Sequence, residues 1–239
     1  MERLKKYKHG DAFSYTLGAF PTFELLKAAP ERAEEILFHP DYDGRDKLIA
    51  LAKEKNIPVF EDKKTIERLS DKGNCFVAGV FRTDPDTHLC EKRHVLLVNP
   101  SDMGNLGTII RTAAGFGDTD VAIITPAADP FDPKTVRASM GAVFRVRIAL
   151  FDSIERYREA YPSHKLYPFM LKGSTPLGEA AAPAGNHALV FGNEATGLPD
   201  EYADMGEALR IPMGDKVDSY NLACSVAIGL YAFSQLTKE

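Results

Sequence analysis

Residues 95–117 read V-L-L-V-N-P-S-D-M-G-N-L-G-T-I-I-R-T-A-A-G-F-G. The first four are apolar without interruption, which is typical of a strand covered on both faces of a sheet. The residues that follow are polar and rich in glycine, and from Leu106 to Phe116 apolar side chains recur at helical spacing. Asn105 precedes this pattern and is expected to cap the helix. The stretch therefore predicts one strand–turn–helix unit of an α/β fold.

Similar apolar runs occur further along the chain. We predict strands at 121–124, 143–148 and 188–191, and a helix at Ser153–Ala160. Continuous apolar strands that alternate with helices are typical of a parallel sheet between two helix layers. We therefore expect residues 94–239 to form a domain of this class.

The first ninety residues show shorter patterns. Helical and strand-like segments alternate as far as Phe81, and a polar, turn-rich stretch follows at 82–93, R-T-D-P-D-T-H-L-C-E-K-R. This change predicts a small α/β domain over residues 1–90.

Composition restricts the class of protein. Cys75, Cys90 and Cys224 show no C-x-x-C spacing, so neither a zinc site nor a disulfide framework is expected, and a reducing cytoplasm fits best. The basic start of the chain is not followed by an apolar run, so we predict no signal peptide. The uncharged segment Ser219–Thr237 contains several polar side chains, and we interpret it as a helix buried in protein, with no membrane partner.

Ligands of open α/β sheets bind beyond the carboxyl ends of the strands. Besides the turn after 95–98, two further segments qualify: G-N-E-A-T-G-L at 192–198 and R-I-P-M-G-D-K-V-D-S-Y-N at 210–221. A plain loop would explain the glycines, but Glu194 directly after an apolar strand needs a partner, because an unpaired carboxylate is costly to bury. Ser219 is expected to cap the last helix.

The first of these turns is not a nucleotide-binding signature. It lacks G-x-G-x-x-G and Walker spacing, which argues against a flavodoxin-like or other nucleotide-binding enzyme. Arg111 lies off the apolar stripe of its helix, and this segment alone favours a solvated arginine on an exposed helix face.

Taken together, the segments are more specific. The order and spacing of N-x-G-x-I-x-R-x-A (105–113), G-N-E-x-x-G-L (192–198) and I-P-M-x(5)-S-Y-N (211–221) resemble the three motifs of the SpoU/TrmH family of RNA ribose 2'-O-methyltransferases. The stretch V-R-A-S-M-G-A-V-F-R (136–145) is similar to an intermediate segment of that family. The resemblance covers residues 94–236, and residues 14–85 resemble the small RNA-binding domain that often precedes it.

The resemblance implies a SPOUT fold, in which the C-terminal part of an α/β parallel sheet is threaded into a trefoil knot. It also implies a homodimer through the C-terminal helix, S-adenosyl-L-methionine as cofactor, and no metal. The implied cofactor-binding residues are Gly192, Asn193, Ile211, Met213 and Tyr220. The resemblance places Arg111 at the catalytic position. Our hypothesis adds Glu194 and Asn105, which would orient Arg111, and Ser219 and Asn221, which would position the third loop and contact substrate. The family usually has leucine where this chain has Tyr220.

The expected function is methyl transfer from S-adenosylmethionine to a ribose 2'-hydroxyl of tRNA or rRNA. The alternative is a non-catalytic, dimeric RNA-binding protein that retains the fold. A net charge of -5 is unfavourable for RNA binding by overall charge, so local basic residues are required. The candidates are Arg3, Lys5, Lys6, Lys8, Lys63, Lys64, Arg68, Lys72, Arg137, Arg145 and Arg147.

Overall fold

The structure, a computed structural model, describes residues 4–70, 73–90, 92–117, 120–171 and 175–236. The chain divides into two compact units with separate sheets. The first unit comprises Met1–Asp84 and Asp129–Arg145, and the second comprises Pro85–Ala128 and Val146–Glu239.

The elements are numbered along the chain. The strands are β1 (Phe13–Leu17), β2 (Ala33–Phe38), β3 (Val59–Glu61), β4 (Val77–Arg82), β5 (Arg93–Val98), β6 (Asp120–Ile124), β7 (Arg147–Phe151), β8 (Lys165–Pro168), β9 (Thr175–Pro176), β10 (His187–Phe191) and β11 (Leu209–Arg210). The helices are α1 (Ala19–Ala28), α2 (Arg45–Glu54), α3 (Lys63–Leu69), α4 (Met103–Gly115), α5 (Pro133–Ala138), α6 (Ile154–Ala160) and α7 (Leu222–Leu236).

The first unit is built on a four-stranded sheet in the order β1-β4-β2-β3. Strand β4 is antiparallel to both neighbours, and β2 is parallel to β3. Successive side chains of a strand point to opposite faces. Accordingly Leu37 belongs to a buried cluster with Ile66 of α3, whereas Ile36 belongs to another with Leu26 and Leu48. Helices therefore cover both faces of this sheet.

Residues 129–145 pack in the first unit, although the sequence analysis assigned them to the domain 94–239. The hydroxyl of Ser14 in β1 donates a hydrogen bond to the carbonyl of Phe131 at 2.5 Å. A Cβ on Gly141 would lie 2.7 Å from Cβ of Glu24, so this glycine allows α1 to approach closely. Both contacts join residues that are far apart in the sequence, so they could not be predicted from the order of the elements along the chain.

The predicted strand 143–148 was wrong in its position. Ala142–Phe144 forms a short 3₁₀ helix, and β7 begins only at Arg147. The cause lies just before it, where Met140 and Gly141 have φ values of 52° and 78° and turn the chain. The apolar run thus begins as a turn and becomes a strand afterwards.

The second unit contains a five-stranded sheet in the order β7-β6-β5-β10-β8. Every pair of neighbours is parallel, which confirms the predicted parallel α/β sheet. Its central strand β5 is fully buried at Leu96 and Leu97. No helix within the described residues is long and apolar enough to cross a bilayer.

Helix α4 begins three residues earlier than predicted, and its cap is not Asn105. The carboxylate of Asp102 accepts a hydrogen bond from the Asn105 amide at 2.7 Å, so Asp102 is the N-cap. The start at Leu106 was predicted because Asn105 is a suitable N-cap residue and the apolar stripe begins directly after it. The side chain of Asn105 is consequently available for other contacts.

Candidate functional site

Three loops that follow parallel strands enclose one cavity of about 460 Å³ in the second unit. They follow β8, β10 and β11, at the edge of the sheet where open α/β folds bind ligands. The lining includes seven of the ten predicted site residues: Gly192, Asn193, Glu194, Ile211, Met213, Ser219 and Tyr220. The second and third sequence motifs thus converge at the cavity, whereas Asn105 and Arg111 of the first motif are not among its lining residues.

The first two residues of the loop after β10, Gly192 and Asn193, hold it in a tight turn. A Cβ on Gly192 would overlap the backbone of Gly197, so only glycine allows this closure. The side-chain oxygen of Asn193 accepts a hydrogen bond from the Ala195 amide at 2.9 Å. Its Nδ2 donates to the carbonyl of Asn99, just beyond β5, at 2.8 Å. Asn193 therefore fixes both the turn and its position on the sheet.

Glu194 joins the same loop to the start of α4. Its carboxylate accepts hydrogen bonds from the backbone amides of Ser101 (3.0 Å) and Asp102 (3.1 Å). It also accepts from the Ser101 hydroxyl (2.8 Å) and from Nδ2 of Asn105 (3.2 Å). Burial alone would raise the pKa of Glu194, but these hydrogen bonds outweigh burial and lower its pKa to about 2. The carboxylate is therefore a fully ionised tether between two loops.

The third loop is joined to this tether through Asn221. Its Nδ2 donates to Oδ1 of Asn105 at 2.9 Å, and its Oδ1 accepts from the Ala223 amide at 2.8 Å. Asn221, and not Ser219 as expected, is therefore the N-cap of α7, since the helix begins at Leu222. Ser219 lines the cavity instead.

Tyr220 stabilises the third loop internally. Its hydroxyl donates a hydrogen bond to the carbonyl of Pro212 at 3.3 Å, and the side chain is 38% exposed. A leucine at this position could not make that contact. The tyrosine thus spans the loop and also forms part of the cavity wall.

Arg111 lies on the exposed side of α4 and is not among the lining residues. Within the described part of the chain, its guanidinium has no hydrogen bond or ion pair. The side-chain contacts of Glu194 and Asn105 lead to one another, to the turn before α4 and to Asn221, and none reaches Arg111. Within the residues that the structure describes, Glu194 and Asn105 therefore do not orient Arg111 of the same chain.

The loop after β8 also belongs to the site and was not predicted from the sequence. Phe169, Met170 and Leu171 line the cavity, and the ring of Phe169 stacks on that of Phe191 with centroids 4.4 Å apart. The signal was the apolar run L-Y-P-F-M-L at 166–171. Pro168 obscured it, because proline is tolerated only in an edge strand, and β8 is the edge of this sheet.

The three loops lie within one family match. The sequence model of a family described as the SpoU rRNA Methylase family matches residues 92–231. The chain belongs to this family. The match covers more than half of the chain and ends within α7, so the whole SpoU motif set lies in the second part of the sequence.

Named RNA methyltransferases are similar to the chain over part of its length. The chain is 36% identical over 140 residues to ribosomal RNA small subunit methyltransferase G 2 of Syntrophobacter fumaroxidans, covering 59% of this chain and 27% of that protein. It is 30% identical over 151 residues to the 23S rRNA (guanosine(2553)-2'-O)-methyltransferase of Bacillus subtilis, covering 62% and 60%. The chain therefore spans less than two thirds of each of these relatives.

The similarity to a solved structure is longer. The AdoMet-bound rRNA methyltransferase from Sinorhizobium meliloti superimposes with a TM-score of 0.83 and 26% identity. This match covers 95% of this chain and 89% of that chain. The fold of the SpoU region and of the first unit is thus shared with that enzyme.

The candidate RNA-binding residues differ in exposure and in their partners within the structure. Arg145 pairs with Glu24 at 2.6 Å, and Arg147 pairs with Asp120 at 2.7 Å, so both are already neutralised. The side chains of Lys5, Lys6, Lys8, Lys63 and Lys64 are exposed, and Nζ of Lys63 lies 3.9 Å from the carboxylate of Glu67. Arg68 donates hydrogen bonds within the first unit, and Arg137 is half-buried. Arg3 and Lys72 lie outside the described residues.

The tether predicts a specific acid response. Because its folded pKa is lowered from about 4.5 to about 2, Glu194 stabilises the fold fully above pH 4.5 and loses this effect as the pH falls to about 2. Glu194→Gln should lower the free energy of unfolding at pH 7 by about 1–2 kcal/mol, a value reduced by partial solvent exposure. The measurement is urea denaturation between pH 2 and pH 7.

The matched control is Glu179→Gln, an exposed carboxylate outside the cavity lining. It should follow the wild-type curve at every pH. A Glu194→Gln protein as stable as wild type at pH 7 would contradict the tether.

Proposed function

We propose that the protein transfers a methyl group from S-adenosylmethionine to a ribose 2'-hydroxyl of tRNA or rRNA. The observation that carries this proposal is one cavity lined by the loops after β8, β10 and β11, two of which carry the SpoU-like motifs, with Glu194, Asn105 and Asn221 joined in one hydrogen-bonded network. The names of the relatives, which include a 23S rRNA 2'-O-methyltransferase and an AdoMet-bound enzyme, support the same reaction.

The cavity fits a nucleoside cofactor. Its size lies within the range of sites for small organic ligands. Its walls combine apolar side chains, such as Phe169 and Ile211, with the bare backbone of Gly192 and Gly197. A purine offers apolar faces and hydrogen-bonding edges, which this lining matches. We propose that Gly192, Asn193, Ile211, Met213 and Tyr220 hold the cofactor, which supplies an electrophilic methyl group when bound.

Arg111 is the proposed catalytic residue. Arginine stays protonated in proteins and therefore cannot accept the proton of the hydroxyl. Its planar guanidinium can instead bridge the 2'-oxygen and a neighbouring phosphate, and so stabilise negative charge on that oxygen as the proton leaves to phosphate or water. Its exposure and lack of a partner within the described chain leave the group available for RNA.

The remaining candidates have positioning roles in this proposal. Glu194 and Asn105 hold the loop after β10 against the start of α4, and Asn221 connects the third loop to Asn105. Ser219 lies at the cavity wall, where its hydroxyl can contact substrate. The network keeps the cavity formed before substrate arrives, which lowers the entropic cost of aligning two large reactants.

Two features of architecture belong to the same proposal. The segment after β10 is proposed to form the trefoil knot, which is supported by the position of β10 between β5 and β8 and by the meeting of the loops at 192–198 and 211–220. A homodimer is proposed through α7, whose outer side exposes Tyr231 and Cys224. Because α4 packs against α7, Arg111 would lie near that interface.

The first unit is proposed to dock RNA. The side chains of Lys5 and Lys8 are exposed, and Tyr7 between them fixes the segment by donating a hydrogen bond to Asp129 at 2.5 Å. Phosphates would be bound by these exposed charges. A cytoplasmic location is proposed as well, supported by the three cysteines, which are all free thiols.

Arg111→Lys tests the reaction. The variant keeps the charge but loses the planar fork, so methylation should fall roughly 100-fold while binding of S-adenosylmethionine is retained. The assay follows labelled methyl from the donor into RNA and identifies 2'-O-methylated nucleosides after digestion. Arg158→Lys, an exposed change on α6, should behave as wild type.

Near-normal turnover by Arg111→Lys would remove that residue from the mechanism. RNA binding without methylation by the wild-type protein would favour the non-catalytic alternative.

RNA docking is tested by its salt dependence. The logarithm of the binding constant should fall steeply with the logarithm of salt concentration, because bound counterions are released from RNA. In the double variant Lys5→Ala/Lys8→Ala the slope should decrease by roughly 1 for each lost phosphate contact. The control Lys47→Ala/Lys53→Ala removes two exposed lysines of α2. A flat response of the wild type, or equal slopes of wild type and Lys5→Ala/Lys8→Ala, would contradict docking by these lysines.

A further inference from the structure

One face of α7 lines the cavity near the start of the helix and, further along, packs against two aromatic residues that also line the cavity. Leu222 and Ser225 line the cavity, and Gly229 follows four residues after Ser225. Residues at this spacing lie on the same side of a helix. Gly229 is buried in the middle of α7, where glycine is an unfavourable residue for helix formation. Its neighbours explain why a larger residue does not fit.

Two aromatic rings lie directly against Gly229. A Cβ added there would be 2.8 Å from Cζ of Phe169 and 3.0 Å from Cζ of Phe191. Both distances are shorter than ordinary carbon contacts. The two rings stack on each other, with an interplanar angle of 20°, so that displacement of one ring affects the other. Both rings also line the cavity.

The position of the two rings determines how the steric overlap with a Cβ at residue 229 can be relieved. Both rings border residue 229 on one side and line the open cavity, so a methyl group on residue 229 requires them to shift, and the cavity offers the space for that shift. Phe169 is fixed at its backbone, since its amide donates to the carbonyl of Val190 at 2.8 Å. The ring is consequently the part that moves.

We propose that Gly229 is a positioning residue that sets the depth of the cofactor cavity. It acts through Phe169 and Phe191, and the proposal rests on the methyltransferase function proposed above. The absence of a side chain on α7 keeps both rings away from the space that S-adenosylmethionine requires.

Calorimetric titration with S-adenosylmethionine tests the proposal. Gly229→Ala should weaken binding by roughly 10-fold, and the KM for the methyl donor should rise with little change in kcat. The double variant Gly229→Ala/Phe169→Leu should bind more tightly than Gly229→Ala, because the shorter side chain makes room for the methyl group. Phe169→Leu alone completes the double-mutant cycle. Gly178→Ala, where the added Cβ meets no atom within 4 Å, is the matched control.

The outcomes are distinct. Wild-type binding together with unchanged binding by Gly229→Ala would overturn the role of Gly229 and leave the proposed function intact. The role of Gly229 would equally be overturned if Phe169→Leu had the same effect on binding with or without Gly229→Ala. Failure of the wild type to bind S-adenosylmethionine would overturn the proposed function and this inference with it. Thermal melting of each variant identifies loss of fold, in which case the double variant decides.

Discussion

The hydrogen bonds of Glu194 hold the candidate site together. A carboxylate that accepts from two backbone amides at the start of a helix, a hydroxyl and an amide side chain remains ionised at a much lower pH than usual. The start of α4 and the loop after β10 are 89 or more residues apart in sequence, and this group joins them. Asn105 then extends the connection to Asn221 and the third loop.

The same network explains why these residues were recognised as a site but misjudged individually. Asn105 near the start of a helix and Glu194 after a strand look the same in the sequence whether their side chains contact substrate or each other. In this structure Asp102 and Asn221 cap the helices, which leaves Asn105 free to connect Glu194 with Asn221. The proposed roles are therefore of two kinds. Glu194, Asn105 and Asn221 hold the loops of the cavity together, whereas Arg111 lies outside the cavity lining and is the proposed catalytic residue.

The parallel sheet could be predicted because its strands are continuously apolar, and residues such as Leu96 show this directly in the sequence. Two of the three cavity loops, those after β10 and β11, could be predicted from the motifs and from the rule that ligands bind at strand ends. The place of residues 129–145 could not, because it depends on contacts of Ser14 with Phe131 and of Gly141 with α1, which have no local signature. Phe169 was missed because Pro168 interrupts the pattern of its strand.

A crystal structure of the protein with S-adenosylmethionine is the most direct test of the central claim that these three loops form the methyl-donor site. The account predicts that the cofactor lies in the cavity in contact with Gly192, Ile211 and Tyr220, above Phe169 and Phe191. Cofactor bound elsewhere, or an empty cavity at saturating cofactor, would contradict it.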